Sequence, residues 1–348
     1  FNFPIPSTLE VYRNKPEQYL SNLIGHEGEG SLHHLMNARG WIESLSAGSQ
    51  DFDRNTSLLT VNIELTKAGR NHVEEITDLL FQYLDMLRAQ PPQDWLYQEQ
   101  ARVAELGFRF QEKGSTVGFV YRMAPSLDLY PAEDLLVAPY LMEAFDPALI
   151  EKFLNYLRPD NVLLEVTAPD STTDQIEPWF KVPFALERAA LKRLAVTDAQ
   201  LHLPEVNPFL PEQLDLVAAD DRIMRRFIDQ PELKLWLDTD IEFGAPRANM
   251  TLGLLTETGL LSAENQAQAI LLQRLVNDSL SAVTYPAYLA GLGYSINVSD
   301  SGFAISVNGY QDKQMTLLDT VTQQLLYAEI SAERFATIKA SLIKDWRN

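Results

Sequence analysis

The stretch Gly25-His26-Glu27-Gly28-Glu29-Gly30 comes nearest to metal chemistry in these 348 residues. A helical zinc-hydrolase motif sets two histidines one turn apart on one ion, with a glutamate between them as general base. Four positions after His26 stands Gly30, which has no ligating atom, and Gly25, Gly28 and Gly30 together argue against a helix across the segment. A second near match is His72-Val73-Glu74-Glu75-Ile76. The inverted spacing H-x-x-E-H needs a histidine where Ile76 stands, and Ile76 belongs to the apolar face of its helix. His33 and His34 are adjacent, would point about 100° apart on a helix, and read as surface residues. His202 stands alone among prolines. With five histidines and no cysteine, a metal site would need several carboxylates, and no convincing cluster occurs. A nucleophile elbow, a P-loop and a dinucleotide fingerprint are also missing from the sequence. The sequence therefore assigns this chain no catalytic residue, no metal ligand and no cofactor of its own.

The formal charge is −20. A chain this acidic, without a basic stripe, repels nucleic-acid backbones and anionic membranes. The charge serves solubility, and it suits a basic or amphipathic peptide as partner. No run approaches the roughly 20 apolar residues of a membrane span. Absence of cysteine excludes disulfides, thiolate metal sites and a cysteine nucleophile. Phe1-Asn2-Phe3-Pro4 has no initiator Met, no basic n-region and no apolar h-region, so a processed or excised chain is expected.

The elements that would position any site follow from periodicity. A helix is predicted over 29–39, with Gly40 as its stop. A short strand follows over Trp41–Ser46, then a polar turn over 48–56, then a half-buried strand over 59–65. A long helix over 67–90 places Val73, Ile76, Leu79, Leu80, Tyr83, Leu84 and Leu87 on one face and ends at Pro91-Pro92. Asp94 is expected to cap another, running to 111. The region 114–157 reads as mainly helical but broken by prolines. A strand is predicted over 162–167, and Trp179, Phe180 and Phe184 are expected to cover the core. Leu233–Phe243 reads as strand. Ser262 caps a helix through 284; strands follow over 294–298 and 303–307, then helices over 315–328 and from Ser331 onward.

Helix, glycine-aromatic, strand, turn, strand, long helix, capped helix thus occurs twice, offset by roughly a domain length. The prolines at 204, 208 and 211 make the clearest linker. The expected organisation is α+β: two homologous domains, each a mainly antiparallel β-sheet with helices packed largely on one face. Their expected extents are 1–205 and 222–348, joined by a linker at 206–221, the second domain stopping short at its C-terminus.

Four ordered segments carry a family resemblance. They are Tyr19 to Leu32 with Gly40-Trp41; Arg158-Pro159-Asp160-Asn161-Val162; Leu203-Pro204-Glu205-Val206-Asn207-Pro208-Phe209-Leu210-Pro211; and Leu289 to Tyr294 with Gly309 to Gln314. Together they resemble the second domain and most of the third domain of the insulinase/pitrilysin family of zinc metallopeptidases. The resemblance implies four similar domains in two halves that close around a peptide. Zinc belongs to an H-x-x-E-H motif in the first domain, and the fourth helps position substrate. Neither region is among these residues. The partners implied are peptide substrates and the catalytic and C-terminal domains of the same protein. The setting implied is periplasmic for a bacterial pitrilysin-like protein and cytoplasmic otherwise.

The family's exosite, which anchors a peptide N-terminus by adding it to a sheet edge, maps onto Leu23, Gly25 and Glu27 and onto Leu45, Ser46, Ala47 and Gly48. Gly25 to Gly30 reads equally as a plain structural turn. Asn22 and Gln18 depart from histidines of the insulin-degrading branch, and Ala47-Gly48 replaces its glycine pair, which narrows the backbone approach. The function implied is the non-catalytic middle section of a zinc metalloendopeptidase, forming part of its chamber and exosite. The competing reading is a metal-free homologue acting in peptide binding or assembly. Either way the purified chain should hold no stoichiometric zinc and cleave no peptide; one tightly bound zinc per chain in elemental analysis would overturn this.

Overall fold

The alternation read around Leu59 and Val61, both fully buried, forms the middle of a three-stranded antiparallel sheet in the computed structural model. The structure describes residues 1–347 except 113, 189, 192, 194–199, 217–223, 240–243 and 257–261. The chain divides into two compact units, Phe1–Val206 and Asn207–Asn348.

In the first unit the strands are β1 (Asn2–Pro6), β2 (Ile42–Asp51) and β3 (Thr56–Leu65), in the order β1-β3-β2. Helices α1 (Pro16–Ile24) and α2 (Leu32–Ala38) connect β1 to β2 and pack on β2. After the sheet come α3 (Val73–Ala89), α4 (Asp94–Arg109), α5 (Thr116–Ser126) and α6 (Pro147–Leu154). Short strands β4 (Gln175–Ile176) and β5 (Pro183–Phe184) make a hairpin. The core gathers Phe3, Ile5, Leu20, Leu23, Leu59, Val61, Leu80, Phe81, Tyr83 and Phe153.

The second unit opens with the hairpin β6 (Arg225–Asp229) and β7 (Lys234–Leu237). Its main sheet has β8 (Arg247–Leu255), β9 (Gly293–Ser299) and β10 (Gly302–Tyr310), in the order β8-β10-β9. Helix α7 (Ala263–Leu289) joins β8 to β9; α8 (Gln314–Tyr327) and α9 (Ala332–Arg347) follow. In both units a first strand and a later hairpin combine so that the hairpin's second strand is central. The repeat read in the sequence is thus a repeat of topology. Phe209, from the proline-rich segment, belongs to the second core, with Val276, Leu280, Ile305, Val307 and Val321.

Several expectations need correction. β1 was not predicted. Phe1 and Val61 exchange backbone hydrogen bonds at 2.8–2.9 Å, so by ladder alternation Phe3 and Ile5 also bond to β3. Pro4 and Pro6 then fall where an N–H would point off the sheet, which is where a strand tolerates proline. β8 was also missed. β2 runs on through Gly48 to Asp51 where a turn was expected, because pairing with β3 holds its polar half extended. The run 162–167 is no strand: only Leu163 pairs, as a bridge to Asn2. Trp179 and Phe180 are 86% and 88% exposed and cover nothing in this unit. Asp94 opens α4 as its first residue, and Gln93 is the cap position. Of the predicted strand 233–243, Lys234–Leu237 forms, and residues 240–243 lie outside the described residues.

One buried contact ties the long helix to the segment of interest: Tyr83 Oη donates to the Leu23 carbonyl at 2.9 Å. Tyr83→Phe removes that donor without changing volume. It should cost about 1 kcal/mol, read as a lower denaturant midpoint for the first unit at unchanged m-value.

Candidate functional site

Parity along β3 decides what β2 offers. Ser57, Leu59 and Val61 turn their main-chain groups to β1, so Leu58, Thr60 and Asn62 turn theirs to β2. Gln50, Gly48 and Ser46 lie opposite them. Leu45, Ala47 and Ser49 therefore direct their N–H and C=O groups to the side of β2 away from β3. Among the described residues no side chain is hydrogen-bonded to those three main-chain positions. Gly48 and Ser46 are exposed, and a Cβ placed on Gly48 would meet nothing within 4 Å.

Helix α1 delivers the second part of the site. Pro16 starts it, and Gly25 ends it by donating to Ser21 O at 2.9 Å. A Cβ on Gly25 would lie 3.2 Å from Ala47 N and 3.6 Å from Ala47 Cβ. The structure thus brings Gly25 and Ala47 together, and a side chain at 25 would crowd the Ala47 N and Ser21 O main-chain atoms. Leu23 and Leu45 are buried at 1% and 4% exposure and build the core beneath the edge. Glu27 is half-exposed two residues beyond Gly25, and its carboxylate acts electrostatically on His33.

His34 is exposed, as the sequence suggested, and His33 is only half so. His26 is buried, and its Nδ1 accepts from Gly28 N–H at 3.0 Å. That bond stabilises the turn and uses the ring nitrogen as an acceptor, so the ring is neutral there; burial pulls its pKa down to about 4. His33 is half-buried; burial lowers its pKa, opposed by Glu27, and its Nδ1 is enclosed without a partner. His72 stacks on Trp41 at 4.4 Å. His202, read as isolated, packs against Gly30. The segment has no helix across Gly28 to Gly30, so His26 has no ligand partner one turn away. Among the described residues no group of three histidine, aspartate or glutamate side chains could hold a metal ion. The residues present do not fit a catalytic zinc.

At the start of α1, Glu17 is buried with Oε2 unpartnered. Burial raises its pKa to about 7, against its own backbone N–H and Lys15, with Asp51 adding to the rise. Tyr97 and Tyr130 feel the same carboxyl, and Tyr97 also feels Glu143.

The antiparallel sheet thus turns the unpaired main-chain groups of its outer strand β2 away from β3, beside the glycine-rich end of α1. Comparison with known proteins places this architecture: the chain belongs to the M16 peptidase family. Residues 1–103 match the M16 peptidase inactive domain, and residues 108–348 match the middle or third domain of M16 peptidases. That family boundary falls inside the first compact unit. The chain is similar to insulin-degrading enzyme-like 1, peroxisomal, of Arabidopsis thaliana, 33% identical over 100% of this chain and 37% of the relative. It is similar to human insulin-degrading enzyme, 33% identical over 97% of this chain and 34% of the relative. The crystal structure of pitrilysin shares the fold, with a TM-score of 0.85 at 21% identity over 99% of this chain and 38% of that one. The chain spans about a third of the length of the curated relatives it matches.

Glu17 and His26 titrate with opposite consequences. Glu17 has its pKa raised from 4.5 to about 7, so its contribution is present below pH 4.5 and lost as pH rises to 7. His26 has its pKa lowered from 6.5 to about 4, so its contribution is present above pH 6.5 and lost as pH falls to 4. In the wild type these two contributions should nearly cancel across this window. Between pH 4 and 6.5, stability of Glu17→Gln should rise by up to about 3 kcal/mol more than that of the wild type. Denaturant titrations at several pH values give the answer, and a Glu17→Gln profile no steeper than the wild type's would refute the assignment.

Proposed function

We propose that this chain is a non-catalytic section of a zinc metalloendopeptidase, contributing to the substrate chamber and anchoring peptides by strand addition to β2. Gly25 and Leu45 to Gly48 form the edge, Leu23 supports it from the core, and Glu27 pairs with a free N-terminal ammonium. The zinc of such an enzyme belongs to residues outside these 348.

The observation that carries this reading is the open side of β2, seen against its counterpart in the second unit. There Thr256 N donates to Ser301 O and Gln311 N to Pro246 O, each at 3.0 Å. Odd-numbered residues of β10 thus face β8, and Tyr294, Ile296 and Val298 of β9 face outward. The Gln273 side-chain amide from α7 donates to the Ile296 carbonyl and occupies that edge. No side chain does the same at Leu45, Ala47 or Ser49 among the described residues. Net charge favours peptides carrying positive charge. The competing reading, a metal-free homologue that holds peptides or supports assembly, uses the same edge and differs only in what accompanies this chain.

Each backbone hydrogen bond of an added strand contributes about 0.5–1.5 kcal/mol net, and ordering the peptide offsets much of it. Affinity for the chain should be about high micromolar or weaker. Glu27→Gln should weaken a free-amine peptide and leave its acetylated form unchanged in an NMR titration. Shift changes away from β2, or equal loss for both peptides, would give Glu27 and this edge a structural role alone.

A further inference from the structure

We infer that His202 is a positioning residue for the peptide-anchoring loop, holding residues 26–31 in place by closing over Gly30; this rests on the reading of β2 and Glu27 given above.

Gly30 has φ +80°, a conformation that side chains rarely adopt. A Cβ built on it would lie 2.4 Å from both Cε1 and Nδ1 of His202 and 2.6 Å from its Cγ. The imidazole therefore occupies the volume a side chain at 30 would fill. Gly30 is buried although His202 is exposed, so the ring shields the glycine from solvent. His202 N–H donates to Gly30 O at 3.0 Å, a backbone bond that lies beneath this cover. The ring itself is fixed by Nδ1, which donates to Leu203 O at 2.8 Å. Leu201 and Leu203, on either side, pack against the first core. The ring is thus held on a rigid support rather than on a free tail.

The loop is gripped on its other side as well. Gly28 N–H donates to His26 Nδ1, and Ser31 N–H donates to Gly28 O at 3.2 Å. His33 is hydrogen-bonded to the Glu27 backbone. Between these two supports, Glu27 and Glu29 are the side chains left toward solvent. A carboxylate held in one place before binding loses little freedom when it meets an ammonium, and one on a loose loop must be ordered at that moment. His202 acts through the loop and makes no contact with peptide in this scheme. The segment bearing it ends the first unit, since the chain leaves that unit after Val206.

The test compares wild type, His202→Ala and His202→Phe in the full 348-residue chain. Phenylalanine keeps a flat ring over Gly30 and loses the Leu203 bond. Amide exchange at Gly28 and Ser31 should be about ten-fold faster in His202→Ala, with the sheet amides of β1 and β3 unchanged, and close to wild type in His202→Phe. A short synthetic peptide rich in valine and threonine serves as probe, with its amine free or acetylated. His202→Ala should bind the free-amine form about five-fold more weakly and the acetylated form equally well; His202→Phe should restore the preference. Unchanged exchange at Gly28 and Ser31 overturns the inference, as does equal weakening of both peptides. Should Glu27→Gln bind both forms as wild type does, the Glu27 reading fails by itself, and the exchange result still decides whether His202 holds the loop.

Discussion

The central strand β3 governs the first unit, because it bonds on both sides and its residues must divide by parity between the two neighbours. That single constraint fixes three things together. It buries Leu59 and Val61, it leaves Pro4 and Pro6 where a missing N–H costs nothing, and it turns Leu45, Ala47 and Ser49 outward along β2. A slip of one residue between β2 and β3 would expose Leu45 and turn the main-chain groups of Ser46, Gly48 and Gln50 outward in place of those of Leu45, Ala47 and Ser49. The buried face of the sheet and the outward groups of β2 are therefore two results of one register.

The second unit repeats the strand order and alters the outcome. β9 stands where β2 stands, and there the Ile296 carbonyl is met by the Gln273 side chain from α7. Among the described residues no side chain meets the outward main-chain groups of Leu45, Ala47 or Ser49. Shared topology thus does not by itself imply shared function between the two units.

Local signals made much of this fold legible. Ser262 caps α7 by accepting from Asn265 N–H, as its position before a helical pattern implied, and β9, β10 and α8 appear where periodicity placed them. β8 was legible too, since Ala248, Met250, Leu252 and Leu254 alternate with Arg247, Asn249, Thr251 and Gly253. β1 was not, because two prolines in a short segment read as a break until the pairing partner is known. The run at 162–167 shows the converse: apolar residues that meet a neighbouring strand at a single position, here Leu163 at Asn2, do not extend into a strand. At the candidate site, the glycines announced a turn and the family resemblance announced an edge. The packing of His202 on Gly30 had no local signal at all, because it joins residues far apart in the chain and depends on an absent Cβ.

Glu17 and His26 share a consequence best expressed in protons. Between pH 4.5 and 6.5 the unfolded chain carries a charged glutamate and a charged histidine, whereas burial leaves both neutral. Folding then takes one proton up at Glu17 and gives one off at His26. The exchange with solvent sums to zero, so the heat of folding from these two groups is the same whatever buffer surrounds them. The interior rids itself of two charges of opposite sign without changing the net charge that keeps the molecule in solution.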